Sequence, residues 1–184
     1  MLRLGAVYGS RIKGNYERLT RALAGNLGTR SQFLRKLGHV PRLPFIPVGN
    51  GRNRRTLVYD KDVGRAAVLA VSHPAAAGRV FNVTDGEFHT LNEIIESICS
   101  ALGRKPPRVS LPIGPMRTLV GLIEKGSHAI GLKPPVTKAI IDKYTEDIAV
   151  DGSLIQKELG FMPQYDLSAG WREVIQEMRR MGEL

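Results

Sequence analysis

Cysteine is nearly absent: Cys99 stands alone among 184 residues, which excludes an internal disulfide and fits a reducing compartment. Its place on the apolar side of an expected helix marks it for core packing. No apolar run approaches the roughly 20 residues of a membrane-spanning helix. The opening Met1–Gly9 stretch lacks the apolar core and cleavage site of a secretory signal, so a cytoplasmic protein with no membrane partner is expected. Aromatic residues make up 6% of the chain and do not interleave with the basic ones, as a single-strand nucleic-acid groove requires. The four histidines, at 39, 73, 89 and 128, form no helical metal pair, and one cysteine cannot complete a zinc set, so no metal site is expected. No Gly-x-Ser-x-Gly elbow marks a hydrolase nucleophile. Acidic residues are also scarce at the start: residues 1–60 hold 12 Lys and Arg against Glu17 and Asp60. Residues 61–184 hold 15 of each sign, so the net charge of +10 sits wholly in the first third. Such asymmetry suits a polyanionic partner, or an acidic surface against which this third packs.

What is present is concentrated in residues 48–63, Val-Gly-Asn-Gly-Arg-Asn-Arg-Arg-Thr-Leu-Val-Tyr-Asp-Lys-Asp-Val. Asn50-Gly51 is a tight-turn dipeptide. Arg52, Arg54 and Arg55 present permanently charged forks suited to phosphate or carboxylate. Arg11, Lys13 and Asn15 follow the first expected strand, at the strand end where open α/β sheets bind ligands.

Periodicity supplies the scaffold. Leu2–Tyr8 reads as a strand buried on both faces, and Gly14 to Ala24 as a helix. Residues 31–37 suggest a short basic helix before prolines 41, 44 and 47. Thr56–Tyr59 reads as a strand, after which Asp62 caps a helix running to Pro74. Arg79–Val83 and Val109–Leu111 read as further strands. Thr90-Leu-Asn-Glu93 is a capping box whose helix Gly103 stops. Helices are expected over 116–125, 136–143, 153–159 and 168–181. Strands alternating with helices, then a helical tail, make an α/β architecture.

Leu2-Arg-Leu-Gly-Ala-Val-Tyr-Gly-Ser-Arg11, Lys13-Gly-Asn15, Asn53 to Val63, Gly78 to Gly86, and Val150-Asp-Gly-Ser with Glu158-Leu-Gly-Phe-Met-Pro163 together resemble the extended short-chain dehydrogenase/reductases. Within that group the likeness is to the NAD-dependent nucleotide-sugar epimerases, dehydratases and 4-keto reductases. The resemblance implies a C-terminal portion: the last strand of a Rossmann-type sheet (residues 1–26), then a small mixed α/β substrate-binding domain with a helical tail (27–184). The family's glycine fingerprint has no counterpart here, since Gly25 to Gly28 follows a helix, and no tyrosine is followed four residues later by lysine. By resemblance, Arg55 pairs with the sugar-nucleotide diphosphate and Arg54 is its neighbour. Arg11, Lys13 and Asn15 lie on the substrate side, and Leu4 and Gly5 lie where the backbone approaches the nicotinamide.

The implied parent uses NAD or NADP, with no tight cofactor binding by this chain alone and no catalytic residue in it. Its partners are a nucleotide sugar, an N-terminal half or another chain covering the first strand, and a second copy in a homodimer. Departures from the family pattern include Ala6 for a substrate-contacting asparagine, Ser10 for proline, and Asp60, a charge placed near the arginines. Tyr144-Thr-Glu-Asp147 stands where many members carry a second phosphate-binding arginine. The competing expectation is a free-standing, non-catalytic module that binds anions or nucleic acid.

Overall fold

The computed structural model describes residues 1–25, 45–129, 142 and 145–184, without the side chains at 125, 126, 128 and 129. The helix expected over 31–37 lies outside those residues, and so does the one expected over 136–143 apart from residue 142. The opening strand is two short pieces, β1 (Leu2–Leu4) and β2 (Ala6–Tyr8). Helix α1 (Asn15–Leu23) follows. After it come β3 (Arg54–Arg55), β4 (Leu57–Tyr59) and α2 (Asp60–Ser72). Next are β5 (Phe81–Val83), β6 (His89–Thr90) and α3 (Leu91–Leu102). Three helices complete the described chain: α4 (Ile113–Ala129), α5 (Ser153–Leu159) and α6 (Leu167–Arg180).

β1 pairs in parallel with β5, Arg3 opposite Asn82, while β2 pairs in parallel with β4, Val7 opposite Val58. The partner changes at Gly5, whose amide donates to Val83 O at 2.9 Å while the next amide, Ala6, donates to Thr56 O at 2.9 Å. One edge of the opening strand therefore serves β5 and the opposite edge serves β4. A Cβ on Gly5 would stand 3.1 Å from Thr56 O and 3.4 Å from Val83 O, so the crossing closes tightly only around glycine.

β4 alternates between two apolar clusters, as strand geometry dictates. Leu57 and Tyr59 face Tyr8, Trp171, Ile94, Ile98 and Met178, whereas Val58 faces Phe81, Val83, Ile155 and Phe161. Helices α3 and α6 pack against each other over the first cluster. Tyr8 stacks on Trp171 with ring centroids 4.6 Å apart. Gly170 sits where a Cβ would overlap the Tyr8 hydroxyl.

Local signals explain the helix limits. Thr90 Oγ1 accepts from the Glu93 amide at 3.2 Å while Glu93 Oε2 accepts from the Thr90 amide at 2.7 Å, closing the expected capping box. Gly103 and Gly160 end α3 and α5 in the left-handed region, at φ 72° and 69°. Cys99 is buried, as expected, and burial pushes its thiol pKa up.

Three expectations change. β1 is not buried on both faces, because Arg3 and Leu4 are exposed: its pairing with β5 satisfies backbone groups without covering both side-chain faces. Val109–Leu111 forms no strand; Leu111 makes a single bridge to Val48, and the prolines at 106, 107 and 112 around it withhold the amides a ladder needs. Asp62 does not cap its helix, which begins two residues earlier with Tyr59 at the N-cap. Its buried carboxylate instead accepts from the Gln164 amide at 3.1 Å, the Tyr165 amide at 3.2 Å and Arg65 Nη1 at 3.0 Å.

Two stability predictions follow from this packing. Asp62→Ala strands two loop amides and removes charge-assisted bonds, and is expected to cost about 2–4 kcal/mol in urea unfolding; a loss under about 1 kcal/mol would contradict the role given to that carboxylate. Gly170→Ala is expected to destabilise by about 1–3 kcal/mol through overpacking. Adding Tyr8→Phe should recover part of that loss, and a double-mutant cycle with no coupling would refute the clash.

A candidate anion site at the third strand

The arginine segment is shaped by the turn before it. Asn50 Oδ1 accepts from the Arg52 amide at 3.0 Å, and Gly51, at φ 64°, has its Cβ position filled by the Asn92 side chain. That turn delivers the chain into β3, where Arg54 lies opposite Thr90 and Arg55 opposite His89 in an antiparallel ladder. The other edge of β3 meets Ile148: its amide donates to Arg54 O at 2.9 Å and its carbonyl accepts from the Thr56 amide at 3.3 Å. Backbone on both sides thus fixes both arginines.

Strand alternation sends the two guanidinia to opposite faces. Arg54 is exposed, with its guanidinium carbon 4.5 Å from the centroid of the Phe88 ring, a cation–π stack that holds it flat. Its amide donates to Asp147 Oδ1 at 2.6 Å. Arg55 is half-buried and shares its face with His89. A single anion therefore meets one arginine per face instead of two side by side. Arg52 is exposed.

Behind Arg55 lies a pair that the sequence reading passed over. His89 Nε2 and Asp85 Oδ2 are 2.7 Å apart, with side chains 8% and 3% exposed. The Asp85 amide donates to Leu57 O at 2.7 Å, and Asp85 Oδ1 accepts from the Glu87 amide at 3.3 Å. The bond to Asp85 raises the His89 pKa above 6.5 against an opposing effect of burial. The i, i+4 spacing was visible, but it falls on a loop between strands, where spacing says nothing about contact.

Leu4 and Gly5 stand close to this site, because the Ala6–Thr56 hydrogen bond joins their strand one residue beyond Arg55. The space beside Gly5 is taken by the Thr56 and Val83 carbonyls. The strand crossing therefore accounts for the glycine.

Arg11, Lys13 and Asn15 lie elsewhere. They follow the carboxyl end of β2, whereas Arg55 precedes β4, so the length of the paired strands, about 10 Å, separates the two groups. Arg11 lines an open groove of about 590 Å³ with Ser10, Asp60, Lys61, Glu177 and Arg180. Lys13 pairs with Glu17 at 3.5 Å and Glu183 at 3.3 Å. Asn15 begins α1. Asp60 belongs to this second end: five residues of strand and turn carry it away from Arg55, so the expected proximity to the arginine cluster does not occur. Ser10 hydrogen-bonds Glu177 there. Among the described residues there is no group of His, Cys, Asp and Glu side chains able to hold a metal, and no helix long and apolar enough to cross a membrane.

The geometry can be set beside known proteins. Residues 1–84 match the model of the NAD dependent epimerase/dehydratase family. A UDP-glucose 4-epimerase of Vibrio cholerae is 25% identical over 176 residues, covering 96% of this chain and 45% of that protein. The crystal structure of a UDP-glucose 4-epimerase from Thermotoga maritima with UDP-glucose superposes with a TM-score of 0.60 at 20% identity, over 99% of this chain and 46% of that one. WbmG of Bordetella bronchiseptica, in complex with NAD and UDP, gives a TM-score of 0.60 at 17% identity, over 99% and 44%. The chain thus spans about half the length of the relatives it matches. The parallel strand pairs and flanking helices share the Rossmann-type fold of these structures, and residues 1–84 of the chain are similar to the NAD dependent epimerase/dehydratase family.

Proposed function

We propose that this chain is the C-terminal, substrate-recognising part of an NAD(P)-dependent nucleotide-sugar epimerase, dehydratase or 4-keto reductase, and that Arg55 grips the diphosphate of a UDP-type sugar. The observation that carries this reading is the setting of Arg55. It is backbone-paired on both edges, half-buried, and one residue from the point where the opening strand leaves one partner for another. A held, partly desolvated guanidinium recognises a diphosphate better than a mobile one.

On this reading residues 1–26 belong to the nucleotide half of the fold and 27–184 to the substrate half. Exposed Leu4 and the unshielded face of β1 are where the remaining part of the enzyme docks, in the same polypeptide or in another. Cofactor binding then belongs to that assembled enzyme, with Leu4 at its margin, and this chain by itself supplies substrate contacts and no hydride chemistry. Arg54, on the opposite face, contributes less to the diphosphate. Arg11, Lys13 and Asn15, at the other end of β2, are at most a second contact.

Calorimetric titration with UDP-glucose tests the assignment. Arg55→Ala removes charge-assisted hydrogen bonds of about 1.5–3 kcal/mol each and is expected to weaken binding by about ten- to one-hundred-fold. Arg55→Lys should recover only part, because the planar fork is lost. Arg11→Ala should change affinity less than about twofold. Equal losses from Arg55→Ala and Arg11→Ala would reject Arg55 as the anion anchor.

A further inference from the structure

We propose that Asp85 and His89 form a positioning pair for the anion site at Arg55, adding no net charge beside a bound diphosphate while the imidazole is protonated and a negative charge once it is not. The inference rests on the reading that Arg55 holds a diphosphate, and it names what makes that grip depend on pH. Directly opposed residues of an antiparallel ladder extend from the same face with Cβ atoms about 4.5–5.5 Å apart, and Arg55 and His89 are such a pair. His89 is locked by Asp85 at 2.7 Å, and Asp85 is locked in turn by its amide on Leu57 O and its Oδ1 on the Glu87 amide. The pair is therefore fixed at the base of Arg55 on either side of its titration.

The charged groups around His89 all bear on this. Its own segment contributes Asp85, Glu87 and Glu93, which favour the imidazolium; Glu93 is also bound to the Thr90 amide. β3 contributes the Arg55 cation opposite. The segment crossing the other edge of β3 contributes Asp147, engaged by the Arg54 amide. α5 brings the neutral Gln156 amide against Gly86.

Raised above 6.5 by the Asp85 bond, His89 stays charged through mildly acidic pH and pairs off the carboxylate. As pH climbs through that raised value the carboxylate is uncovered next to Arg55, and the site repels an anion it had held. Stability moves the same way: the bond contributes in full below about pH 6.5, the unfolded value, and is lost as pH rises through the folded one.

The experiment is titration of this chain with UDP-glucose, whose diphosphate diester keeps one charge state across the range, at about pH 6 and about pH 8.5 at fixed ionic strength. Wild type is expected to bind about three- to tenfold more weakly at the higher pH. Asp85→Asn, lacking the carboxylate, should bind as tightly at high pH as wild type does at low pH. His89→Gln, with the carboxylate always bare, should bind weakly at both. Urea unfolding of each variant at about pH 6 confirms that it is folded. A wild-type pH ratio surviving in both variants overturns the pairing role while leaving Arg55 in place, provided Arg55→Ala still weakens binding. Unchanged affinity in Arg55→Ala, or no binding by wild type at either pH, overturns both readings.

Discussion

The arrangement depends on one close contact, the passage of Gly5 between the carbonyls of Thr56 and Val83. There one strand gives its first half to β5 and its second half to β4, so two apolar clusters that share no residue are joined through it and through the alternation of β4. Because adjacent amides of a strand point to opposite edges, β5 and β4 flank the opening strand on its two sides. The candidate site adjoins that crossing, since Arg55 lies one residue before the bond that anchors the second pairing.

Much of the scaffold could be read along the chain, for a physical reason: its signals are local. The Thr90 capping box, the stops at Gly103 and Gly160, and the apolar stripe of α6 each depend on neighbours within a turn or two. Burial of Cys99 followed from its place on the apolar side of α3. The family likeness was legible in ordered short motifs, Val-Tyr-Gly and Arg-Thr-Leu-Val-Tyr among them, and these fall within the residues that match the family model.

What was not legible needed contacts between distant segments. Asp62 had the sequence look of a cap, yet its carboxylate serves residues 164 and 165, a hundred positions on. Asp60 seemed to share a site with the arginines because it is five residues from Arg55, but extended backbone turns a short sequence separation into a long spatial one. The converse misled for Arg54 and Arg55, adjacent in sequence and sent to opposite faces by the pleat. The Asp85–His89 pair emerges only once the loop after β5 is folded, and the guanidinium stack of Arg54 on Phe88 only once β6 is laid beside β3.

The Asp62 carboxylate has a mechanical meaning as well. It sits at the start of α2, immediately after β4, and clasps the loop that leads into α6, whose Trp171 closes over Tyr8 of β2. Strand pair, helix start and terminal helix form a closed loop of contacts, so loosening any one member releases the others. Amide hydrogens of α6 and of β4 should accordingly exchange with solvent as one cooperative unit instead of fraying separately from the chain's end.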